Sequence, residues 1–300
     1  MIRAIHILST APSRAKLGKN EEFVYEPFPF EVVCTVLSAL MWRKLNGPIR
    51  FHVDSHAYEF YKKHDLLDAW DDGVEISVMD NLPKNIDPRI FWASSKMFAL
   101  QSESCPVAMI DTDLIIWKNI NDILNESSLT VLHREGLTDC YVDKVFLKIR
   151  SGYKFDPSWD WKVLPCNTAL AYFKDDGFKN YYLDKSIDFM TGNLEPAKEN
   201  ISQMVFAEQR ILPMCAKQKG VKINALIDDP FQEGNDTFTH LWGAKEVARK
   251  SREQNARLIS AMMNKIRSLD EKMHDKLYGS FFGKNPDAEN LMGEIGKYIN

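Results

Sequence analysis

Apolar residues in this chain come in short runs separated by amphipathic stretches, and that alternation predicts an α/β fold. Ala4 to Leu8 reads as a first strand and Ile49 to Val53 as a second, both too short for helices and closed by polar residues. Between them, Val33, Val36, Leu37, Leu40 and Met41 recur at helical spacing over Glu31 to Leu45, and Asn46-Gly47-Pro48 ends the helix. Asp54 offers an N-cap for a helix through Tyr58, Phe60 and Leu66. Val74 to Met79 reads as a third strand, and a further helix is expected from Asp87-Pro88 through Leu100. Strands joined by helices predict a largely parallel sheet covered on both faces.

Val107 to Ile116 organises the rest. Pro106 blocks a preceding helix, four apolar residues run into Asp111-Thr112-Asp113, and Leu114-Ile115-Ile116 follow at once. Read as one extended strand, the segment presents Asp111 and Asp113 to the same side and turns Thr112 away. Two carboxylates at the end of a buried strand repel each other and are costly to desolvate, which a hard divalent cation relieves. Asp-x-Asp is also common in surface turns, but a surface turn would not be embedded in apolar residues on both sides.

Further along, Leu129 to Leu132 reads as a short strand. Asp139 to Trp161 is irregular and aromatic, suited either to loop packing or to stacking on sugar rings. Asn167-Thr168 leads into another buried strand ending at Phe173, and Lys174-Asp175-Asp176-Gly177 starts a helix. Ile201 to Gln218 looks helical, interrupted by Pro213, and carries Glu208-Gln209-Arg210. Lys222 to Ile227 is a late strand, followed by an acidic, glycine-containing turn and His240-Leu241-Trp242-Gly243-Ala244-Lys245. Leu258, Met262, Ile266, Leu269, Met273 and Leu277 form one apolar stripe on a long terminal helix. From Leu241 to Lys284, ten basic residues stand against five acidic ones, so this stripe could lie on an anionic membrane; packing on the body is the main expectation.

Composition narrows the classes. At 45% hydrophobic and 27% charged, the 300 residues are those of an ordinary folded protein, and a net charge of −4 gives no reason to expect nucleic-acid binding. Five widely spaced cysteines without a Cys-x-x-Cys argue against zinc or a disulfide framework and for reduced thiols in a cytoplasmic setting. No apolar stretch approaches a membrane span or a signal peptide.

The order Asp111-Thr112-Asp113, Asn167-Thr168-Ala169, Glu208-Gln209, then His240 through Lys245 resembles the GT-A-fold glycosyltransferases. It is most similar to the group of glycogenin and the bacterial lipopolysaccharide galactosyl- and glucosyltransferases. The resemblance implies a GT-A-like domain over residues 1–246, a mixed, mostly parallel sheet flanked by helices, and a helical extension over 247–300 packed on it. It implies Mn²⁺ or Mg²⁺ held by Asp111, Asp113 and His240, with Asp111 also meeting the donor ribose. Gly243 and Lys245 would approach the diphosphate, the glycine because a side chain would block the backbone. Lys96 would stand near the donor and Asn167 along its sugar, and Glu208 and Gln209 would face the reacting carbon. Ser9 and Thr10, after the first strand, would form a wall of the site or a plain surface loop. The implied partners are a nucleotide-sugar donor, of uridine diphosphate, and a glycan or lipid-linked sugar acceptor, as in polysaccharide assembly.

The sequence departs from that pattern where Glu246-Val247 follows Lys245, and in Glu208 and Ala169. A haloacid-dehalogenase-type phosphatase also uses Asp-x-Asp, but near the chain start and with a threonine where Ile115 stands here. A sugar-nucleotide pyrophosphorylase would bring a glycine-rich first loop that Ser9 to Lys19 lacks. A binding protein of the same fold without turnover is the remaining alternative.

Overall fold

In a computed structural model, which describes residues 1–18, 21–197, 201–229 and 235–284, two strands lie where the apolar runs place them. These are β1 (Ala4–Leu8) and β2 (Ile49–Val53); they are followed by β3 (Val74–Glu75), β4 (Val107–Ile110), β5 (Leu114–Ile116) and β6 (Leu129–Arg134). Later come β7 (Cys166–Phe173), β8 (Ile223–Ala225) and β9 (Phe238–His240). Seven strands form one sheet in the order β3-β2-β1-β4-β7-β6-β8, and β5 pairs with β9 in a second, two-stranded sheet. Only β7 runs antiparallel to its neighbours in the large sheet. This is the mixed, mostly parallel and helix-flanked sheet, with helices at the C-terminal end, that the sequence predicts.

Strand alternation divides the apolar residues between two cores. Ala108 and Ile110 of β4 face one, with the Pro29–Leu45 helix; Val107 and Met109 face the other, with the Asp176–Met190 and Ile211–Lys219 helices. The Pro29–Leu45 helix ends at Gly47, whose φ is +149° and where a Cβ would lie 2.5 Å from the Ile2 carbonyl oxygen; only glycine lets the chain pass there.

Several expectations change. Val107–Ile116 is not one strand: Leu114 N–H bonds the Asp111 carbonyl at 3.0 Å, and the turn sends Leu114–Ile116 into the second sheet. Val74–Met79 is strand only to Glu75, because the Glu75 carboxylate takes the Ser77 N–H at 2.8 Å and starts a helical turn. The helix expected from Asp87 begins at Ser94, since Asp87 instead accepts from the Arg89 backbone at 2.9 Å. Lys222–Ile227 shortens to β8.

The helical run from Ser202 to Lys219 passes through Pro213 without breaking, by way of a π turn over Phe206–Arg210 in which Ile211 N–H reaches back to Phe206. Pro213 has no N–H for the Gln209 carbonyl, and its ring would collide with it in a regular helix; the wider turn absorbs that conflict. The terminal helix is two helices, Arg252–Leu269 and Glu271–Lys276, because the Asp270 carboxylate caps Met273 N–H at 2.9 Å. The apolar face of Arg252–Leu269 (Ala256, Ile259, Met262, Met263, Ile266) is buried against the Pro29–Leu45 helix, so it is not available to a membrane. Part of the acidic turn before Thr237, and residues 285–300 of the expected extension, lie outside the described residues. No described helix is long and apolar enough to cross a membrane.

Candidate active site

Four segments converge at the carboxyl end of β4. The turn after β4 carries Asp111 and Asp113, and β5 then pairs with β9 so that Leu114 lies opposite His240. Leu241 N–H closes the junction on the Asp113 carbonyl at 3.0 Å. This pairing, rather than strand alternation, brings the acids to the imidazole. Ligand atoms of Asp111, Asp113 and His240 all lie within 4.8 Å of one another. Two carboxylates and one imidazole are a donor set that suits Mn²⁺ or Mg²⁺, so the residues fit the expected cation.

Charge around the acids is arranged asymmetrically. Lys245, in the first turn of the Ala244–Lys250 helix, places Nζ 2.6 Å from Asp113 Oδ2, and His240 Nε2 is 3.6 Å from Oδ1. Burial works against the Asp113 charge, yet His240 and Lys245 hold its carboxyl far below the usual range. Lys96, on the Ser94–Ser102 helix, bridges Asp111 Oδ1 at 2.7 Å and Glu208 Oε1 at 2.8 Å. Burial penalises that ammonium too, but the two carboxylates raise its pKa well above the ordinary lysine value. Asp111, Asp113 and Glu208 thus face two ammonium groups, an excess of negative charge in a half-closed place.

Glu208 and Gln209 stand on the π turn. Thr168 of β7 donates to Glu208 Oε1 at 2.8 Å, and the Tyr182 hydroxyl donates to the Glu208 carbonyl at 2.9 Å. Gln209 Oε1 accepts from Tyr141 at 2.5 Å, which leaves the amide NH₂ as the free end of that side chain. Asn167 donates to Glu135 at 2.9 Å, and its own Oδ1 accepts from Ala169 N–H at 3.0 Å. The hydroxyls of Ser9 and Thr10 are turned to Asp54, at 3.4 and 2.8 Å, and Thr10 N–H also meets Asp54 at 2.5 Å. Asp54 is the N-cap of the Ser55–Lys63 helix, so it ties the loop after β1 to the end of β2. Gly243 has φ −77°, and an added Cβ would meet nothing within 4 Å; no backbone or protein contact requires glycine there.

Beneath the acids lies a buried relay that the sequence does not reveal. Trp70 Nε1 donates to His6 Nδ1 at 3.2 Å, so the ring proton sits on Nε2, 3.1 Å from Ser38 Oγ, and Ser38 donates onward to the Leu114 carbonyl. Burial pushes the His6 pKa down to about 3 despite the nearby Asp113, so the imidazole is neutral. Glu135, Tyr141 and His6 had no readable role in the sequence, and Asp54 was readable only as an N-cap. Their partners lie 32 to 68 positions away, beyond the reach of any periodic pattern.

The chain belongs to a family of unknown function, DUF6734, whose model matches residues 7–278. No curated protein matches its sequence. Among solved structures it is similar to mouse xyloside xylosyltransferase 1, at 14% identity and a TM-score of 0.37, covering 75% of this chain and 84% of that one. It is also similar to the galactosyltransferase LgtC in complex with donor and acceptor sugar analogs (12%, TM-score 0.35, 69% and 70% covered). A third likeness is to a nucleoside-diphosphate-sugar pyrophosphorylase from Vibrio cholerae (14%, TM-score 0.35, 75% and 91% covered).

Proposed function

We propose that this member of DUF6734 is a metal-dependent glycosyltransferase that moves a hexose from a uridine diphosphate sugar to a glycan or glycoconjugate acceptor, with retention of configuration. The observation that carries the reading is the meeting of Asp111, Asp113 and His240 within 4.8 Å, with a lysine on each side of the acids. A phosphatase of the Asp-x-Asp type is less well supported, because here Lys96 already engages the first acid, its would-be nucleophile.

Asp111, Asp113 and His240 would hold Mn²⁺ or Mg²⁺. When bound, the cation supplies positive charge to the diphosphate oxygens as the bond to the sugar breaks. Lys245 adds a second positive charge there, on leaving Asp113 for the diphosphate. Gly243, at the start of the same helix, has open space beside its Cα for the donor to enter. Asn167 lines the sugar. Glu208 offers a carboxylate to the positive charge that develops on the sugar carbon, as in glycoside hydrolysis, and Gln209, held by Tyr141 through its oxygen, offers its NH₂ to the substrate. Ser9 and Thr10 serve as a wall that Asp54 fixes in place.

The experiment is turnover and binding measured together. Wild-type protein should gain a Mn²⁺-dependent rise in thermal midpoint with uridine diphosphate, by mass action, and should hydrolyse or transfer the donor sugar slowly. Asp113→Ala and His240→Ala should lose both. Undiminished donor turnover in both variants refutes the site, and binding without turnover in wild type selects a nucleotide-sugar-binding protein instead.

A further inference from the structure

The segment Lys144–Ile149 exposes Val145 (73%), Phe146 (65%) and Ile149 (43%) within five positions. It is not a loose loop. Leu147 between them is buried in the core. Lys148 exchanges two hydrogen bonds with the buried side chain of Gln203, N–H to Oε1 at 3.1 Å and Nε2 to the carbonyl at 2.9 Å. Arg150 is held by the Thr191 carbonyl at 2.8 Å and by Asp188. The chain therefore fixes this backbone on both sides and holds three large apolar side chains out in water, a cost that surface residues ordinarily avoid.

Charge decides what would cover such a face. From Asp143 to Asp156 four basic residues stand against two acidic ones, a local +2 where the whole chain carries −4; of the two acids, Asp143 accepts the Val145 N–H at 3.2 Å and Asp156 pairs with Lys185 at 3.3 Å. Arg150 is spent on Asp188, while Lys144, Lys148 and Lys154 are exposed and make no ion pair among the described residues. The cores of protein–protein interfaces are poor in lysine, whereas apolar residues interleaved with lysine match the boundary of an anionic bilayer. The terminal helix, the other basic amphipathic element, has its apolar face buried on the Pro29–Leu45 helix.

We infer that Lys144–Lys154 is a membrane-docking surface, with Val145, Phe146 and Ile149 entering the headgroup region of an anionic bilayer and the three lysines meeting its phosphates. The docking does not depend on the transferase reading. If both hold, the acceptor is carried by a lipid, because Tyr141, a few residues before the patch, touches Gln209 in the candidate site.

Sedimentation of the full chain with vesicles tests this. Phosphatidylcholine vesicles containing about 30 mol% phosphatidylglycerol should bind the protein at least ~10-fold more strongly than phosphatidylcholine alone, and salt should weaken the binding. The triple variant Val145→Ser, Phe146→Ser, Ile149→Ser should lose roughly 10-fold in partitioning. Replacing Lys144, Lys148 and Lys154 by Gln should cost about 5-fold per lysine on the anionic vesicles only. Val24→Ser, equally exposed elsewhere in the chain, should bind as wild type. The lysine variant leaves every apolar contact in place and so keeps the test valid should the serine variant fail to fold. Wild type that stays in the supernatant, or variants that all sediment like wild type, overturn the inference. So does light scattering that finds a dimer which the serine variant dissolves, since the patch would then bind a second copy.

Discussion

The two ends of the large sheet each gather acids and bases, and they treat them in opposite ways. At the amino ends of the parallel strands, Glu103 is buried with Arg50 and His52 on one oxygen, at 3.0 and 2.9 Å, and Arg3 on the other at 3.0 Å. Asp72 takes the remaining reach of Arg50 at 3.1 Å. Acid and base there are matched, and the cluster staples β1, β2 and the approach to β4. At the carboxyl ends, three carboxylates share two lysines, and Asp111 is only half-buried. Charge left unmatched on folding is charge kept for something that arrives later. One end is finished; the other waits for a cation and a phosphate.

The widest separation between them should come from removing one acid at each end. Asp113→Ala should lower donor turnover by ~10³-fold or more and should also cost stability at neutral pH, because His240 and Lys245 hold this buried carboxylate charged in the folded protein. Glu103→Gln should cost roughly 1–2 kcal/mol of stability by leaving the half-buried Arg3 and Arg50 and the buried His52 without their shared carboxylate, while turnover per folded molecule stays at the wild-type rate. Denaturant titration beside a donor-turnover assay reads both. A Glu103→Gln protein that loses turnover as Asp113→Ala does would show that the amino end serves the site too.

Lys245 sharpens the contrast through opposite signs in one variant. In the ligand-free protein its Nζ sits 2.6 Å from Asp113, where it competes with a cation. Lys245→Ala should therefore bind Mn²⁺ alone about 5-fold more tightly and yet turn donor over ~10²-fold more slowly, since the diphosphate has lost its point charge. Calorimetry with Mn²⁺ in the absence of nucleotide separates this from a simple loss of the site, in which both quantities would fall.

Acid titration divides the two ends again. The folded His6 value is about 3 against 6.5 for the free side chain, so below pH 6.5 the unfolded chain takes a proton that the folded one refuses. Stability should fall on acidification at ~1.4 kcal/mol per pH unit from this group, and His6→Gln should flatten the slope between pH 6.5 and 4.5. Glu103 acts lower down. Burial opposes its charge, but His52, Arg3 and Arg50 hold its pKa below the ordinary 4.5, so its stabilisation is complete above that value and is lost as pH falls through the folded one. Glu103→Gln should leave the upper window alone and flatten the slope below 4.5.

How much of this was legible in the chain follows from the range of each interaction. β1 and β2 were readable to the residue, because a buried strand writes itself as a local apolar run. The site was readable as a set of chemistries in order, and Asp111, Asp113, His240 and Lys245 do meet. The means of meeting was not readable. Extended geometry would have aligned the two acids; the structure instead breaks the strand at Asp111 and uses β5–β9 pairing across more than a hundred residues. Local side chain to backbone bonds likewise overrode periodicity at Asp270, Glu75 and Asp87, and Pro213 widened the turn that carries Glu208. Each is a competition decided by one hydrogen bond, which an apolar pattern does not record.

The smallest effect tests the least constrained residue. Gly243 has an ordinary φ of −77° and open space where a Cβ would go, so Gly243→Ala should cost no more than about 1 kcal/mol, the difference between glycine and alanine as a helix N-cap. Nothing inside the protein therefore calls for glycine, and any consequence of the change must come through a ligand. If the diphosphate passes against this backbone, the added methyl should raise the donor KM by about 10-fold with little change in kcat, and should shrink the Mn²⁺-dependent thermal shift with uridine diphosphate. The methyl group would then be felt only when nucleotide is present, the signature of an end of the sheet built to be completed from outside. Equal shifts in the two proteins would move the donor away from Gly243 and leave Lys245 to reach it alone.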